Sequence, residues 1–321
     1  MDNMDKIKVL VTGATGFIGR NIIQQLSRRS DLDITGSYFR SEPPYDTFPQ
    51  VQWIQADLTN PSSVDRLVSG QDILIQAAAV TSGARDIISQ PYLHVTDNAI
   101  MNALLFRSAF EHKIQHVVFF SCTTMYQSSR SPVMEEDFSH EIVKNYFGVG
   151  WTKVYNEKMC EFYSQIGSTK YTVIRHSNIY GPHDKFDLGR SHVFGATVTK
   201  VMTSKDDHIV VWGDGSEIRD LLYISDLVDF IEMAIERQRS SFELVNVGCG
   251  EGISIKLLVE KIIRISEKIL LLKFDTSKPT IPFNLVVNID KARRVFGWAP
   301  KISLDAGISK TLDWYIQNYL K

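Results

Sequence analysis

Only three cysteines, Cys122, Cys160 and Cys249, occur in 321 residues, and no two stand at metal-ligand spacing. That scarcity excludes a disulfide-stapled secreted scaffold and fits reduced thiols in a cytosol. The sequence also has no apolar run of the roughly 20 residues a membrane-spanning helix requires. Residues 1–6 are polar and acidic, where a secretory leader would be basic and then apolar, so a cytoplasmic protein is expected. Neither sign of charge forms a block, and 35 basic against 37 acidic residues leave a net charge of −2. Such a balance excludes nucleic acid and membrane surfaces as expected partners. His94, His112, His116, His140, His183 and His208 show no ligand spacing, so they read as surface or core groups and no metal is expected. Internal repeats and low-complexity tracts are absent as well.

What is present begins at residue 8. An apolar strand, Lys8-Val9-Leu10-Val11-Thr12, runs into Gly13-Ala14-Thr15-Gly16-Phe17-Ile18-Gly19 and then into a helix with Ile18, Ile22, Ile23 and Leu26 on one face. Three glycines spaced three apart at a strand-to-helix turn form a nucleotide-binding signature. Gly13 permits the bend, Gly16 lets backbone amides approach a pyrophosphate, and Gly19 lets the helix pack on the strand. Strand-like runs at 9–11, 34–38, 51–55, 73–76, 116–120 and 172–175 alternate with helix-compatible segments at 61–68, 98–112 and 151–166. This order predicts an α/β, Rossmann-type doubly wound parallel sheet. Beyond residue 175 the elements become shorter and mixed: helices at 191–203, 224–236 and 255–265, strands at 209–212 and 243–247. A smaller C-terminal mixed α/β substrate lobe is therefore expected. Residues 1–175 would bind the dinucleotide and 176–321 the substrate, with approximate, interleaved boundaries and a cleft between them.

Further landmarks share one order. Asp57-Leu58 follows the third strand, Gln76-Ala77-Ala78-Ala79 ends the fourth, and Ser121-Cys122-Thr123-Thr124-Met125-Tyr126 ends the fifth. Lys153 lies in the next helix, and Arg175-His176-Ser177-Asn178-Ile179-Tyr180-Gly181-Pro182 closes the sixth strand. Together these resemble the extended short-chain dehydrogenase/reductase family in its NAD-dependent epimerase/dehydratase, or nucleotide-sugar, branch. Within it the similarity is nearest to GDP-fucose synthase-like proteins, through residues 178–186, Ser191-His192-Val193 and Ser277-Lys278-Pro279. The resemblance covers nearly the whole chain. It implies a nicotinamide cofactor, a GDP-sugar, a role in surface polysaccharide synthesis, and a homodimer formed through the helices around 98–112 and 151–166.

By the same resemblance, Gly13, Thr15, Gly16, Phe17, Ile18 and Gly19 would hold the pyrophosphate, with Arg40, Asp57 and Leu58 near the adenosine. Ala77, Ala78 and Ala79 would line the path of the nicotinamide, with Lys153 and His176 beside it and Asn98 steadying the sheet behind. Arg40 can meet a 2′-phosphate or stack on adenine, so NAD and NADP both stand. Thr123, Asn178, His192, Val193, Trp212, Arg219 and Lys278 would contact the sugar nucleotide. Arg219 suits diphosphate oxygens, and Trp212 a base.

Departures from the family pattern matter as much. Where a tyrosine usually stands one helical turn before the lysine, this chain has Val149, which carries no exchangeable proton. The usual serine or threonine is Cys122, so the catalytic set reads Lys153, Thr123, Cys122 and His192. Tyr146, Tyr126, His176, His192 or a water stand as replacements for the phenol. Thr123-Thr124 occupies the place of a dehydratase's Asp-Glu pair, which disfavours dehydration. Thr124 in place of an epimerising cysteine weighs against 3,5-epimerisation. The expected activity is hydride transfer at sugar carbon 4, as a 4-dehydrogenase or 4-keto reductase on a GDP-linked hexose or heptose. Two other readings stand beside it: a nucleotide-sugar epimerase using transient 4-oxidation, and a dinucleotide-binding pseudoenzyme or sensor.

Overall fold

A computed structural model describes residues 6–81, 89–188, 191–278, 280 and 283–320. Its centre is a seven-stranded sheet of β1 (Ile7–Thr12), β2 (Leu32–Tyr38), β3 (Gln52–Gln55), β4 (Ile73–Gln76), β5 (His116–Phe120), β6 (Lys170–His176) and β10 (Phe242–Val247). The strands run parallel in the order β10-β6-β5-β4-β1-β2-β3. The order reverses between β1 and β4, and such a switch point leaves a crevice beyond the carboxyl ends of the strands. Strands β4 and β5 are apolar runs buried along their whole length, as a sheet covered on both faces requires.

Period-two alternation sorts the core. Val9 and Val11 of β1 pack with Ile22, Ile23 and Leu26 of α1 (Phe17–Leu26) on one face. Leu10 points to the other, among Val64 and Leu67 of α2 (Pro61–Val68) and Leu105 and Phe106 of α3 (Thr96–Glu111). Helix α2 begins where Asn60 accepts the Ser63 amide at 3.0 Å and Pro61 takes the first helical position. Helix α4 (Phe147–Ile166) lies against α3 and starts a turn earlier than its apolar pattern suggests.

Beside the central sheet lie two small ones. One is β11 (Gly252–Ser254), β9 (Ile218–Tyr223) and β7 (Asn178–Tyr180), in that order, and the other pairs β8 (His208–Trp212) with β12 (Leu271–Asp275). Around them lie α5 (Val193–Thr203), α6 (Ile224–Arg237), α7 (Ile255–Ile265), α8 (Asp290–Phe296) and α9 (Leu304–Tyr319). Two later segments return to the central sheet and its helices. Residues 243–247, expected among the short mixed elements, form β10 and pair with β6 from Phe242↔Tyr171 to Val247↔His176. The physical reason is that β6 is buried from Tyr171 to Arg175 and its outer edge needs a partner for its backbone amides and carbonyls. Helix α6 likewise packs on α1. Among the described residues no helix is long and apolar enough to cross a membrane.

Candidate active site

At the end of β1, Gly13 takes φ +62°, and a Cβ there would lie 2.6 Å from Ala78 Cα. The turn therefore presses backbone to backbone against the loop after β4. A Cβ on Gly19 would collide with the Gly13 carbonyl, so α1 can sit this close only with glycine there. Gly16 differs. It caps α1, and a Cβ there would meet only Gly13 O, at 3.2 Å, with open space beyond. The Phe17 and Ile18 amides that open the helix have no intrahelical acceptor, and Thr15 flanks them. A pyrophosphate fits this space, which a side chain on Gly16 would fill.

Beside the turn a ladder of amides holds the loop after β4. The Thr12 hydroxyl donates to Gln76 Oε1, which also accepts the Ala78 amide at 3.2 Å. Gln76 Nε2 donates to Asn102 Oδ1 at 2.7 Å, and Asn102 Nδ2 to Asn98 O at 2.8 Å. Asn98 in turn brackets Val80, accepting its N–H at 2.9 Å and donating to its carbonyl at 3.0 Å. Ala77, Ala78 and Ala79 thus line the crevice on a fixed backbone. The spacing of Asn98 and Asn102 on the buried face of α3 was the readable sign of this ladder. Past the end of β3, Asp57 accepts the Thr59 amide and hydroxyl at 2.9 and 2.7 Å. Those bonds, with Arg40 nearby, hold its carboxyl below the usual range. Arg40 is exposed and stacks on Phe39, 5.0 Å from the ring centroid, while Leu58 is half-buried alongside.

Four groups named from the sequence converge past the ends of β5 and β6. Lys153 on α4 donates to Phe120 O at 2.7 Å, and burial keeps its pKa below the ordinary ammonium value, with Cys122 and Glu157 opposing. The Cys122 sulfur lies 2.8 Å from Thr124 Oγ1, and Thr123 stands half-buried between them. His176 donates from Nδ1 to Ser177 O at 2.8 Å, and burial, reinforced by Lys153 and His192, pushes it down to about 4. It is therefore neutral near physiological pH. His192, exposed at the start of α5 just before Val193, has its imidazole held below the usual value by partial desolvation, with Lys185 and His94 close by. Lys185 spans the cleft, donating to the Thr81 carbonyl and hydroxyl at 2.9 and 3.2 Å.

Val149 sits half-buried in the first turn of α4 and offers no polar atom. Tyr126 is no substitute, because its hydroxyl donates to Asn246 Oδ1 at 2.8 Å and accepts Arg175 Nη1 at 2.9 Å in the sealed interior. Tyr146 immediately precedes α4, its ring edge-on to Phe283. Burial raises its phenol's pKa, Arg219 opposes this, and Cys122 adds to it. Arg219 donates to the Ile218 and Phe283 carbonyls, and burial lowers its pKa. Asn178 is turned to the Asp220 carbonyl at 3.1 Å. Trp212 and Lys278 lie together at the end of the two-stranded sheet, where Trp212 pairs with Asp275 and the Lys278 amide meets Asp275 O. Trp212 is half-exposed, with the Lys200 ammonium 5.9 Å from its ring centroid.

The chain is similar to GDP-L-colitose synthase of Yersinia pseudotuberculosis, 26% identical over 97% of this chain and 98% of that one. It is also 26% identical to GDP-L-fucose synthase of Azorhizobium caulinodans, over 96% of each. Among solved structures it resembles UDP-glucuronic acid 4-epimerase of Bacillus cereus in complex with UDP-glucuronic acid and NAD, with a TM-score of 0.85, 25% identity, and 98% of this chain and 100% of that one covered. The sequence pattern of the NAD dependent epimerase/dehydratase family spans residues 9–248, from β1 through β10, and the chain belongs to that family.

Proposed function

We propose that this protein is a nucleotide-sugar oxidoreductase acting at sugar carbon 4, as a 4-dehydrogenase or 4-keto reductase on a GDP-linked hexose or heptose. One observation carries the reading: Cys122, Lys153, His176 and His192 gather at the carboxyl ends of β5 and β6, where the family-defining sheet opens its crevice. The GDP preference is supported by the similarity to colitose and fucose synthases. In this reading residues 1–175 carry the dinucleotide and 176–321 the sugar nucleotide.

Bound at the turn, a nicotinamide cofactor supplies the hydride acceptor or donor. The residues of the chain do the rest. The Phe17 and Ile18 amides take the pyrophosphate, Asp57, Leu58 and Arg40 border the adenosine, and the three alanines leave room for the nicotinamide. Lys153 and His176 flank its ribose. Thr123 and Asn178 offer hydrogen bonds to sugar oxygens, neutral His192 can accept or relay a proton, and Arg219 carries the charge a diphosphate requires. Trp212 and Lys278 border the base. The outward faces of α3 and α4 leave Ile100, Tyr155, Phe162 and Ile166 exposed, a surface suited to a second copy of the chain.

Incubating the purified protein with GDP-, CDP-, UDP- and dTDP-sugars while following nicotinamide absorbance tests the reading. A 4-keto or 4-hydroxy product formed in step with a net change in reduced cofactor supports it. An isomerised sugar with no net change identifies an epimerase, and a copurified dinucleotide with no sugar turned over identifies a sensor.

A further inference from the structure

One thiol stands where the proton-bearing groups of the pocket meet. Cys122 lies two residues past Phe120, whose carbonyl holds the Lys153 ammonium at 2.7 Å. Its sulfur contacts the Thr124 hydroxyl at 2.8 Å. Tyr146, just before α4, packs against the same apolar cluster as Cys122. Three of the alternatives close: Val149 has no proton, Tyr126 is locked between Arg175 and Asn246, and His176 is turned to Ser177 O, which leaves Tyr146 and His192 beside the thiol.

Resting on the reading above, we propose that Cys122, coupled to Lys153, is the catalytic residue that exchanges a proton with the reacting sugar oxygen. In oxidation the thiolate takes the hydroxyl proton and becomes S–H, the C–O bond becomes C=O, and the hydrogen on that carbon leaves with its electron pair to oxidised nicotinamide. In reduction the hydride reaches the carbonyl carbon from reduced nicotinamide and the S–H proton passes to the oxygen. The resulting thiolate keeps its hydrogen bond with Thr124 and recovers a proton from solvent. A thiol ionises nearer neutrality than a phenol, about 8.5 against about 10. A lysine–cysteine couple therefore does the work of a lysine–tyrosine couple, whereas a hydroxyl at residue 122 could only hydrogen-bond.

Two measurements test this, and the first needs no substrate. Alkylation by iodoacetamide near neutral pH, read by peptide mapping, reports the thiolate of Cys122; Cys160 is buried, and burial pushes the Cys249 thiol up to about 11. Lys153→Met is expected to slow Cys122 alkylation about fivefold or more, while Lys153→Arg, which keeps the cation, stays close to the parent. An unchanged rate in folded Lys153→Met overturns the couple. In turnover, Cys122→Ser is expected to lower kcat about a hundredfold with little change in KM, and adding Val149→Tyr to restore much of it. Parental kcat in Cys122→Ser overturns the proposal, as does a collapse confined to Tyr146→Phe. If no sugar nucleotide is turned over by the parent protein, the functional reading fails, and the alkylation rates still decide whether Lys153 and Cys122 act as a pair.

Discussion

Arg175 and Glu157 meet through two hydrogen bonds, Nε to Oε1 at 3.0 Å and Nη2 to Oε2 at 2.7 Å, with both side chains shut off from solvent. The pair ties β6 to α4. Ser121 adds a hydroxyl to Glu157 Oε1 at 2.5 Å, so the strand end that carries Cys122 is bound to the same carboxylate. Glu157 is one helical turn beyond Lys153, and the pair therefore fixes the face on which Lys153 enters the pocket. Glu157→Ala leaves a buried guanidinium without its partner and is expected to cost about 3–5 kcal/mol in urea unfolding. Replacing both residues with methionine recovers most of that loss; a double variant as unstable as the single one would refute the account.

A second buried carboxyl is only half satisfied. Asp184, after β7, accepts the Lys185 amide at 2.7 Å through Oδ1, but Oδ2 has no partner, and burial pushes the group up to about 7. An unfolded aspartate titrates near about 3.9, so between about pH 4 and 7 the native state holds a proton that the unfolded chain releases. Stability therefore falls as pH rises through that window, by at most about 4 kcal/mol. Asp184→Asn is expected to flatten the profile and to exceed the parent in melting temperature near pH 8. Parallel profiles for the two proteins would contradict this origin.

The glycines of the first turn separate folding from binding. Gly13→Ala combines a positive φ with contact on Ala78 and is expected to destabilise by about 2 kcal/mol or more. Gly16→Val asks only Gly13 O, 3.2 Å from the new Cβ, to give by a few tenths of an ångström, so the fold persists with a melting temperature within about 4 °C of the parent. Its dinucleotide affinity is expected to fall about tenfold or more, as titration calorimetry measures directly. Equal affinities for parent and Gly16→Val would place the cofactor elsewhere.

On α4, Tyr155, Phe162 and Ile166 each leave about half or more of their surface to solvent. The parent is expected to sediment as a dimer at micromolar concentration, and Tyr155→Glu with Phe162→Glu as a folded monomer. A monomeric parent removes the interface from this face.

How much of this was readable depends on how local each signal is. Helices α2 and α7 coincide with their apolar patterns, residue for residue, because Asn60 and Ser254 cap them with their own side chains. Lys153, Cys122 and His176 were legible from motif order at strand ends. The early start of α4 was not, since Gly148 and Gly150 argue against a helix. A Cβ on Gly150 would lie 2.9 Å from Ile142, so packing overrides propensity there and brings Tyr146 to the pocket. Glu157 and Asn102 escaped notice for another reason. Their partners are distant in sequence, and only the folded chain shows that their polar atoms are satisfied in the interior.

The return of β10 to the central sheet has a consequence for synthesis. Until Phe242–Val247 has emerged from the ribosome, β6 presents a bare edge of unpaired amides and carbonyls. A nascent chain halted before that point exposes a template for stray strands, so chaperone demand should peak late, when most of the first lobe has already been made.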